Sequence, residues 1–524
     1  MNRLFRPSNK CENEQYRQVK DKVFSEFSSG HYTKLDDVIS ICNIIYDTHE
    51  RILKESVERI DTLSLIIFAL EQYEEYAKVN SKYYNRQLSE NDEKQWLEYS
   101  SHSRRGIKYL IEYLCQFYTS IFRIEKNNDE AEIDEIFSRI FISIEEMCST
   151  YMRIDSYKYM YGHVDLILNE NEYTYFNVPQ DLDPKNRLDI RDEKKEITQF
   201  IRGKPYGHNI EEHSQVLESS FHQHLGISYQ EIVSYLQNLI RSMDYSVNTI
   251  PKASIISCLQ NTYQISIQQA TNIIHGFSVR AINLQDRKLF KPKQEHRAYH
   301  RGFFEFIIDG IPVLIFSRTM ALESLDILIN NTCYQKLPEE WRTKEVDLQL
   351  TTLSNKAGKW FEKVLKDNIE HTGIKAIHSV KNYHSHGKII KPPKDVGEID
   401  FIGYLQKSNS LFIIEAKNVR FNTEPKLFRD DFSKFIDGKK SYSEKFISKC
   451  QWVKENLPIV IDELKSKRID VTRVEKIYLV MVILAPSPVE DKISRFSCMN
   501  LVKFMRMMEK KDLSTLVSID VYTQ

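Results

Sequence analysis

At 524 residues the chain is too long for a single ordinary hydrophobic core, so we expect roughly two to four domains. An apolar fraction of 41%, a charged fraction of 28% and a net charge of −1 are typical of a soluble globular protein. The longest apolar stretch near the N-terminus, Leu63–Leu70, is too short to span a bilayer, and the first 30 residues contain no apolar signal region. Secretion and membrane insertion are therefore not expected, and the predicted location is the cytoplasm, with no membrane partner.

The cysteines favour the same compartment. Eight are scattered along the chain, and no two of them form a Cys-x-x-Cys pair. This spacing argues against a structural zinc site. It favours reduced, mostly buried thiols.

Residues 1–178 are predicted to form a helical region that ends in a β-hairpin. Apolar residues recur at helical spacing in four segments. These segments are Leu35–Tyr46, Ile60–Tyr76, Ile107–Ile124 and Ile133–Met152. In His163–Val178 an alternating apolar run, a polar turn and an aromatic, β-branched run follow one another, which is typical of a hairpin.

Residues 179–340 are predicted to form a second, mostly helical region. Its first part, 179–210, is charged and contains three prolines, so we expect a domain boundary or a long connection there. Helices are expected over 211–280, with Ser228 as the N-cap of one of them. Phe303–Phe316 is predicted to be a second hairpin, because two apolar runs flank an Asp-Gly pair that suits a type I′ turn.

A basic run precedes this second hairpin. It either contacts phosphates or forms a solvated loop. Its members are Lys291, Lys293, Arg297, Tyr299, His300 and Arg301.

Residues 341–524 are predicted to form a domain in which helices cover a mixed sheet. The order is a helix, three strands, a helical region and a strand, followed by one more helix and one more strand. The segments are a helix at Lys356–Glu370, strands at Ile374–Val380, Glu398–Leu405 and Leu411–Lys417, one or two helices within 428–466, a strand at Lys476–Leu484, a helix at Phe496–Met508 and a strand at Leu516–Tyr522. The fold class predicted for the whole chain is multidomain α+β.

The charge of this last region differs from the charge of the rest. Residues 341–524 contain 33 Lys and Arg against 24 Asp and Glu, an excess of nine positive charges, whereas residues 1–340 carry an excess of ten negative charges. A basic third on an acidic body predicts a polyanionic partner for that third. A chance fluctuation among many surface charges is the alternative.

Two neighbouring strands of this region carry the residues most informative about function. Asp400 lies at the start of one strand, and Glu415 and Lys417 lie at the end of the next. Because strand side chains alternate between faces, Glu415 and Lys417 point to the same side. An acid and a lysine on an apolar strand carry an electrostatic cost that a divalent metal and a phosphate would offset. A surface ion pair worth under ~1 kcal/mol is the alternative.

The sequences Gly-Glu-Ile-Asp400 and Ile-Ile-Glu415-Ala-Lys417-Asn418, together with the order of helices and strands, resemble the PD-(D/E)XK nuclease superfamily. They are most similar to its NERD-like, Mrr-type restriction and archaeal Holliday-junction-resolvase subset. The resemblance covers about 350–490, and Ile399 stands where the family often has proline. It implies a restriction-endonuclease-like αβββαβ core and phosphodiester hydrolysis that depends on Mg²⁺, for which Mn²⁺ would substitute.

The resemblance also implies roles for individual residues. Asp400, Glu415 and the backbone carbonyl of Ala416 would bind the metal, a hard ion that prefers oxygen ligands. Lys417 would orient the attacking water or stabilise the transition state. Glu362 matches the family's accessory acid, although glutamate is also an ordinary helix residue. Glu398 would be either a secondary acid or the partner of a salt bridge.

Further polar residues are candidates for contact with nucleic acid. Three lie in a basic loop at Tyr383–Lys394, and three lie on the helix after the Glu-x-Lys strand, where a solvated helix face is the alternative. They are Lys388, Lys391, Lys394, Lys445, Lys449 and Gln451. His384 and His386 lie in the same loop with no further Cys or His nearby, so we interpret them as loop residues and not as a zinc site.

The sequence thus favours a Mg²⁺-dependent DNA endonuclease, by analogy a bacterial restriction or anti-phage defence effector whose N-terminal part senses, recognises or oligomerises. Besides DNA, the expected partners are a second copy of the chain, because cutting both strands needs two sites, and a phage-derived trigger or protein. The alternatives are a protein that binds nucleic acid without cutting it, and a scaffold whose effector domain is released by a trigger. No Walker A sequence is present, so an ATP motor would have to be another chain.

Overall fold

The computed structural model describes residues 4–97, 103–122, 129–159, 164–169, 175–176, 190–284, 294–420, 425–438 and 440–521. The chain divides into two compact units. Unit 1 comprises residues 1–183 and 207–353, and unit 2 comprises residues 184–206 and 354–524. This division differs from the boundaries expected at 178 and 340, because 207–353 form one unit with the N-terminal residues and 184–206 join the C-terminal unit.

The fold is mixed α+β, with helices predominating in unit 1 and the larger sheet in unit 2. The helices are α1 (Asn9–Phe24), α2 (Leu35–Val57), α3 (Thr62–Tyr84), α4 (Glu90–Gln95), α5 (Ser103–Phe117), α6 (Glu130–Tyr159), α7 (Ile190–Ile201), α8 (Ile210–Leu225), α9 (Tyr229–Arg241), α10 (Lys252–Tyr263), α11 (Ile267–Gly276), α12 (Ala281–Leu284), α13 (Arg318–Thr332), α14 (Lys344–Ile369), α15 (Pro425–Phe435), α16 (Tyr442–Glu455), α17 (Leu457–Ser466) and α18 (Leu501–Lys510). In the described part of the chain, none of these helices combines the length and the apolar character that crossing a bilayer requires.

Among the residues that the structure describes, the strands form four sheets. They are β1 (Gly30–Tyr32), β2 (Ser120–Ile121), β3 (Leu166–Leu168), β4 (Tyr175–Phe176), β5 (Val247–Pro251), β6 (Ser278–Val279), β7 (Phe303–Ile308), β8 (Ile311–Ser317), β9 (Lys375–Val380), β10 (Tyr383–Ser385), β11 (Lys388–Ile390), β12 (Ile399–Leu405), β13 (Ser410–Lys417), β14 (Lys476–Ile483), β15 (Ser497–Asn500) and β16 (Ser518–Asp520). Unit 1 contains the sheets β1-β3-β4 and β2-β7-β8-β5, with β6 paired to β7. Unit 2 contains the pair β10-β11 and the sheet β15-β14-β13-β12-β9, with β16 paired to β14.

Several local predictions in unit 1 are confirmed. Ser228 caps α9, and its hydroxyl and the Glu231 carboxylate satisfy each other's backbone N–H groups in a capping box. The second hairpin is β7 and β8, and its turn residues Asp309 and Gly310 have φ values of 49° and 83°, as a type I′ turn requires. In the first hairpin, β3 pairs antiparallel with β4. The rest of His163–Val178 lies largely outside the described residues.

The helix predicted over Ile107–Ile124 ends early, at Phe117. The hydroxyl of Thr119 donates to the carbonyl of Cys115 at 2.5 Å, in competition with the next helical N–H. The chain then enters β2, which pairs in parallel with β7. Local side-chain chemistry and pairing with a distant strand therefore override a helical apolar pattern.

The basic run before β7 was expected to contact phosphates or to form a solvated loop. Both interpretations are wrong for its arginines. Arg297 and Arg301 are 1% and 0% exposed, so they form neither a solvated loop nor a phosphate contact. Arg297 pairs with Glu112, and Arg301 pairs with Glu340. His300 is buried too, so it forms neither a solvated loop nor a phosphate contact. Lys291 and Lys293 lie outside the described residues.

The large sheet of unit 2 is buried on both faces. β12 runs antiparallel to β9 and β13, whereas β13 and β14 are parallel. On one face Phe412 and Ile414 pack in a cluster with α7, α14 and α18, and on the other Leu411 and Ile413 pack in a cluster with α16 and α17. Because side chains alternate, Glu415 and Lys417 share the face that α16 covers. This places the polar end of β13 beneath a helix.

Unit 2 contains more elements than its sequence pattern predicted. The helical region 428–466 comprises three helices, and the predicted helix Phe496–Met508 is the strand β15 followed by α18. The side chain of Asn500 accepts the N–H of Lys503 and so starts α18 only after the strand has ended. The helix predicted to begin at Lys356 is α14, which begins at Lys344.

The segment predicted as a basic loop, Tyr383–Lys394, contains the hairpin β10-β11. Its turn is made by His386 and Gly387, whose φ values are 49° and 74°. All eight cysteines are free and seven are buried, with Cys258 exposed.

Candidate active site

Antiparallel pairing brings together the acids that the sequence places on different strands. Phe401 of β12 is the partner of Ile414 of β13, so the start of β12 lies beside the end of β13. The backbone N–H of Ala416 donates to Oδ2 of Asp400 at 2.9 Å. Asp400, Glu415 and Lys417 therefore meet at one end of this strand pair.

Glu415 is the most heavily engaged carboxylate of this group. Its side chain is 5% exposed, and Nζ of Lys417 donates to its Oε1 at 2.7 Å. Lys449, which reaches the site from α16, donates to Oε1 and Oε2 at 2.8 and 2.7 Å. The two ammonium groups also lie 3.9 and 4.0 Å from Asp400. We call these four residues the Asp400–Lys449 cluster.

The electrostatics of the cluster reflect two acids that share a buried space. Burial raises the pKa of Asp400, and the neighbouring Glu415 carboxylate raises it further. Burial alone would raise the pKa of Glu415 as well, but Lys417 and Lys449 hold it below its usual value. Burial disfavours the charged form of Lys417, yet Glu415 and Asp400 outweigh this and raise its pKa. The cluster thus contains opposite charges that stabilise each other.

A third acid lies near the cluster on α14. Glu362 is half-buried, and burial followed by the Glu398 carboxylate raises its pKa, whereas Lys417 lowers it. Asn418, at the end of β13, donates from its side chain to the carbonyl of Ala357 at 3.1 Å, which ties the strand end to α14. Glu398 itself pairs with Lys381 at 3.1 Å and is therefore a salt-bridge partner.

Of the residues predicted on α16, only Lys449 enters the cluster. Lys445 is exposed, and Gln451 is exposed and donates to Glu455 on its own helix at 2.7 Å. On the β10-β11 hairpin and the residues after it, the three lysines expected to contact nucleic acid are exposed and do not reach the cluster. They are Lys388, Lys391 and Lys394.

The two histidines of this hairpin face carboxylates of α17. The backbone N–H and Nδ1 of His384 lie 2.7 and 2.9 Å from Glu463, and Nε2 of His386 lies 3.7 Å from Asp462. They hold the hairpin against α17.

One neighbour of the cluster could not be singled out from the sequence. Nζ of Lys417 lies 5.4 Å from the centre of the Tyr442 ring, a cation–π distance. Tyr442 is the first residue of α16, and Lys449 follows seven residues later, two helical turns along the same face. The seven-residue spacing between Tyr442 and Lys449 is the one sequence signal that links them. It does not single out Tyr442, because tyrosine is an ordinary residue at the start of a helix.

The donor set fits a divalent metal. No group of three or more His, Cys, Asp and Glu side chains suited to a metal ion occurs among the residues that the structure describes. The cluster instead offers the buried carboxylate of Glu415, the largely buried carboxylate of Asp400 and the Ala416 carbonyl, which accepts from Lys417 at 3.2 Å. Proteins can bind Mg²⁺ through a few such oxygen ligands, while water molecules fill the other coordination positions of the ion.

No protein-family model, curated protein or solved structure matches the chain. Its function is therefore inferred from the residues of the site.

Proposed function

We propose that the protein is a Mg²⁺-dependent DNA endonuclease whose active site is the Asp400–Lys449 cluster. The observation that carries this proposal is the meeting of two acids and two lysines at one end of β12 and β13, where Glu415 is buried and Asp400 is largely buried. Acids and bases with perturbed pKa values concentrate at functional sites. The resemblance of Asp400, Glu415 and Lys417 to PD-(D/E)XK nucleases supports the same reaction.

Asp400, Glu415 and the carbonyl of Ala416 are the residues that would hold Mg²⁺, or Mn²⁺ in its place. A divalent ion bound there supplies electrostatic stabilisation for the phosphate under attack. The hydrogen bond from the N–H of Ala416 fixes Oδ2 of Asp400, which leaves its other oxygen to serve as a ligand. Burial of Glu415 keeps competing water away from its carboxylate.

Lys417 and Glu362 act on the reacting groups. The side chain of Lys417 is 22% exposed, and its ammonium would donate to the attacking water or to a phosphoryl oxygen. Glu362 is half-buried beside Lys417, and its carboxylate would accept a hydrogen bond from the same water.

The proposed substrate is DNA, and the exposed lysines of the hairpin region are its proposed backbone contacts. They are Lys388, Lys391 and Lys394. By analogy with the family, unit 1 would sense, recognise or oligomerise, as in a restriction or anti-phage effector that responds to a phage-derived trigger and cuts both strands as a dimer.

Cleavage assays test the proposal directly. Supercoiled plasmid, linear duplex, single-stranded DNA and RNA are each incubated with the protein in Mg²⁺, Mn²⁺ or EDTA. We expect DNA cutting that requires the metal and is lost in Asp400→Ala and Lys417→Ala. Metal-dependent cutting that survives both substitutions would place the active site elsewhere.

A protein that binds nucleic acid without cutting it is the second candidate. One observation favours it: Lys417 and Lys449 already neutralise the two acids without any metal. Normal DNA binding with no cleavage of any substrate would support this candidate. If the purified protein cuts no substrate but does so after a phage extract is added, it would instead be a nuclease that needs a trigger.

A further inference from the structure

Lys449 engages both oxygens of the carboxylate that the proposed function assigns to the metal. Its distances to Oε1 and Oε2 of Glu415 are 2.8 and 2.7 Å, and its side chain is 10% exposed. Lys417 reaches only Oε1 of the same carboxylate. A metal ion that takes Glu415 as a ligand must therefore share or replace the contacts of Lys449.

The balance of charge shows what such a replacement does. When both acids are ionised, Asp400 and Glu415 carry two negative charges, and Lys417 and Lys449 carry two positive charges, so the cluster without a metal is neutral. A divalent ion makes the same four residues and the ion positive by two charges. Because the cluster is buried, a surplus of this size is costly unless an anion arrives with the ion.

Position in the fold distinguishes the two lysines. Lys417 belongs to the same strand as Glu415, whereas Lys449 belongs to α16 and packs against the strand from outside. The aromatic ring of Tyr442 gives the ammonium of Lys417 a further partner, with its centre 5.4 Å away. Lys449 is thus the cation that can leave Glu415 and turn to a phosphate without breaking the strand.

We propose that Lys449 is a built-in counter-ion that takes the place of the metal at Glu415, and that its displacement couples metal binding to the binding of a phosphodiester. This inference rests on the proposed function. Metal alone binds weakly, because Lys449 competes for the same oxygens. A phosphodiester strengthens metal binding, because it offers the displaced ammonium a new anion. By linkage, the metal strengthens DNA binding by the same factor.

The test measures binding and not cleavage. Mn²⁺ affinity is read from the loss of the free-ion EPR signal, with and without a short phosphorothioate duplex, for wild type, Lys449→Met and Lys454→Met. Lys454 is an exposed lysine of the same helix and serves as the matched control. We expect Lys449→Met without DNA to bind Mn²⁺ at least about tenfold more tightly, equivalent to ~1.4 kcal/mol, and to lose most of the enhancement by DNA. Lys454→Met should behave as wild type.

Several results would overturn the inference. Mn²⁺ binding by Lys449→Met that is no tighter than in wild type would do so, as would an unchanged enhancement by DNA. If Lys449→Met does not fold, Lys449→Gln takes its place, and wild type still tests the coupling, since its DNA affinity measured by fluorescence anisotropy must rise with Mn²⁺. Equal DNA affinity with and without Mn²⁺ would refute the coupling.

Asp400→Asn separates failure of the inference from failure of the proposed function. If wild type binds Mn²⁺ and Asp400→Asn does not, the metal site stands and only the role of Lys449 is in question. If neither protein binds Mn²⁺ with or without DNA, the proposed metal-dependent function fails, and the inference fails with it.

Discussion

The backbone N–H of Ala416 donates to Oδ2 of Asp400 at 2.9 Å, so a main-chain group of one strand orients the acid of its neighbour. Asparagine can still accept this hydrogen bond through its side-chain oxygen, but it carries no charge. We therefore expect Asp400→Asn to keep the thermal unfolding temperature within a few degrees of wild type and to lower single-turnover cleavage by about 10²-fold or more. Asp400→Ala, which also loses the hydrogen bond, should be less stable than Asp400→Asn. Cleavage by Asp400→Asn at the wild-type rate would remove Asp400 from the active site.

The ion pairs of Glu415 predict a strong coupling in stability. Glu415→Leu leaves the buried Lys449 and the partly buried Lys417 without their main partner, which should cost about 3–5 kcal/mol. The double variant Glu415→Leu, Lys449→Met should lose less than the sum of the two single losses, because it removes both charges. Calorimetry of the four proteins without metal measures this coupling.

An exposed pair between Glu444, which also lies on α16, and Arg495 provides a matched control. The two side chains are 43% and 50% exposed, so Glu444→Gln should cost under ~1 kcal/mol. Additive losses at Glu415 and Lys449 would show that they do not interact as an ion pair in solution.

Unit 1 contains an ion pair that is buried even more completely. Nε and one terminal nitrogen of Arg297 donate to Oε2 of Glu112 at 2.9 and 2.7 Å, and the N–H of Ala298 donates to Oε1 at 2.7 Å. Glu112→Gln would leave a buried guanidinium without its counter-ion, at a cost of about 3–5 kcal/mol. Glu132→Gln, in an exposed pair with Arg59, should cost under ~1 kcal/mol and is the control. Thermal unfolding compares the two, and equal small losses would contradict this account.

Histidine 49 predicts a pH dependence of stability. His49 lies on α2, is 2% exposed, and its Nδ1 has no hydrogen-bond partner among the described residues, so burial lowers its pKa from 6.5 to about 4. The unfolded chain takes up a proton at this residue as the pH falls through 6.5, whereas the folded protein does so only near pH 4. Stability is therefore lost across this interval, by about 3 kcal/mol in total.

Comparison with His49→Leu isolates this effect, because the other titrating groups are shared. The difference in free energy of unfolding between wild type and variant should change by about 3 kcal/mol between pH 7 and pH 4, in favour of the variant at low pH. A difference that stays constant over this range would show that His49 does not titrate as its burial requires.

The exposed lysines around the β10-β11 hairpin predict how DNA binding responds to salt. Replacing Lys388, Lys391 and Lys394 by glutamine should weaken binding of all duplex sequences alike. It should also reduce the slope of log affinity against log salt by about one for each lysine that contacts a phosphate. Fluorescence anisotropy over a salt series gives both values. An unchanged slope would exclude this segment from the DNA interface.

The sequence predicted the strands of the candidate site well because their signals are local. An apolar run that ends in Glu415 and Lys417 and an acid that opens the preceding strand at Asp400 identify the strands, and alternation fixes the face of each side chain. The partner of Glu415 could not be chosen in the same way. Lys445 and Lys449 share a helical pattern, and only the packing of α16 on the sheet buries one and exposes the other.

The buried arginines of unit 1 are residues whose environment the sequence did not predict. Arg297 and Arg301 stand in a basic run that reads as solvent-exposed, and their partners Glu112 and Glu340 are distant in the sequence. Long-range ion pairs leave no periodic signal, so a charge count assigns such residues to the surface. The hairpin at His386 and Gly387 was missed because its strands are only three residues long.

The helix α7 belongs to unit 2, but the elements that it packs against lie much later in the chain. Ile201 packs in a cluster with α14 and α18, Asn368 donates to the carbonyl of Phe200 at 3.0 Å, and Arg506 donates to Glu196 at 2.8 Å. During synthesis α7 leaves the ribosome before the whole of 207–353, but its partners are made afterwards. Unit 2 is complete only when α18 (Leu501–Lys510) has emerged, so a nascent chain would lack the finished proposed active site for the whole time in which residues 207–500 are being made.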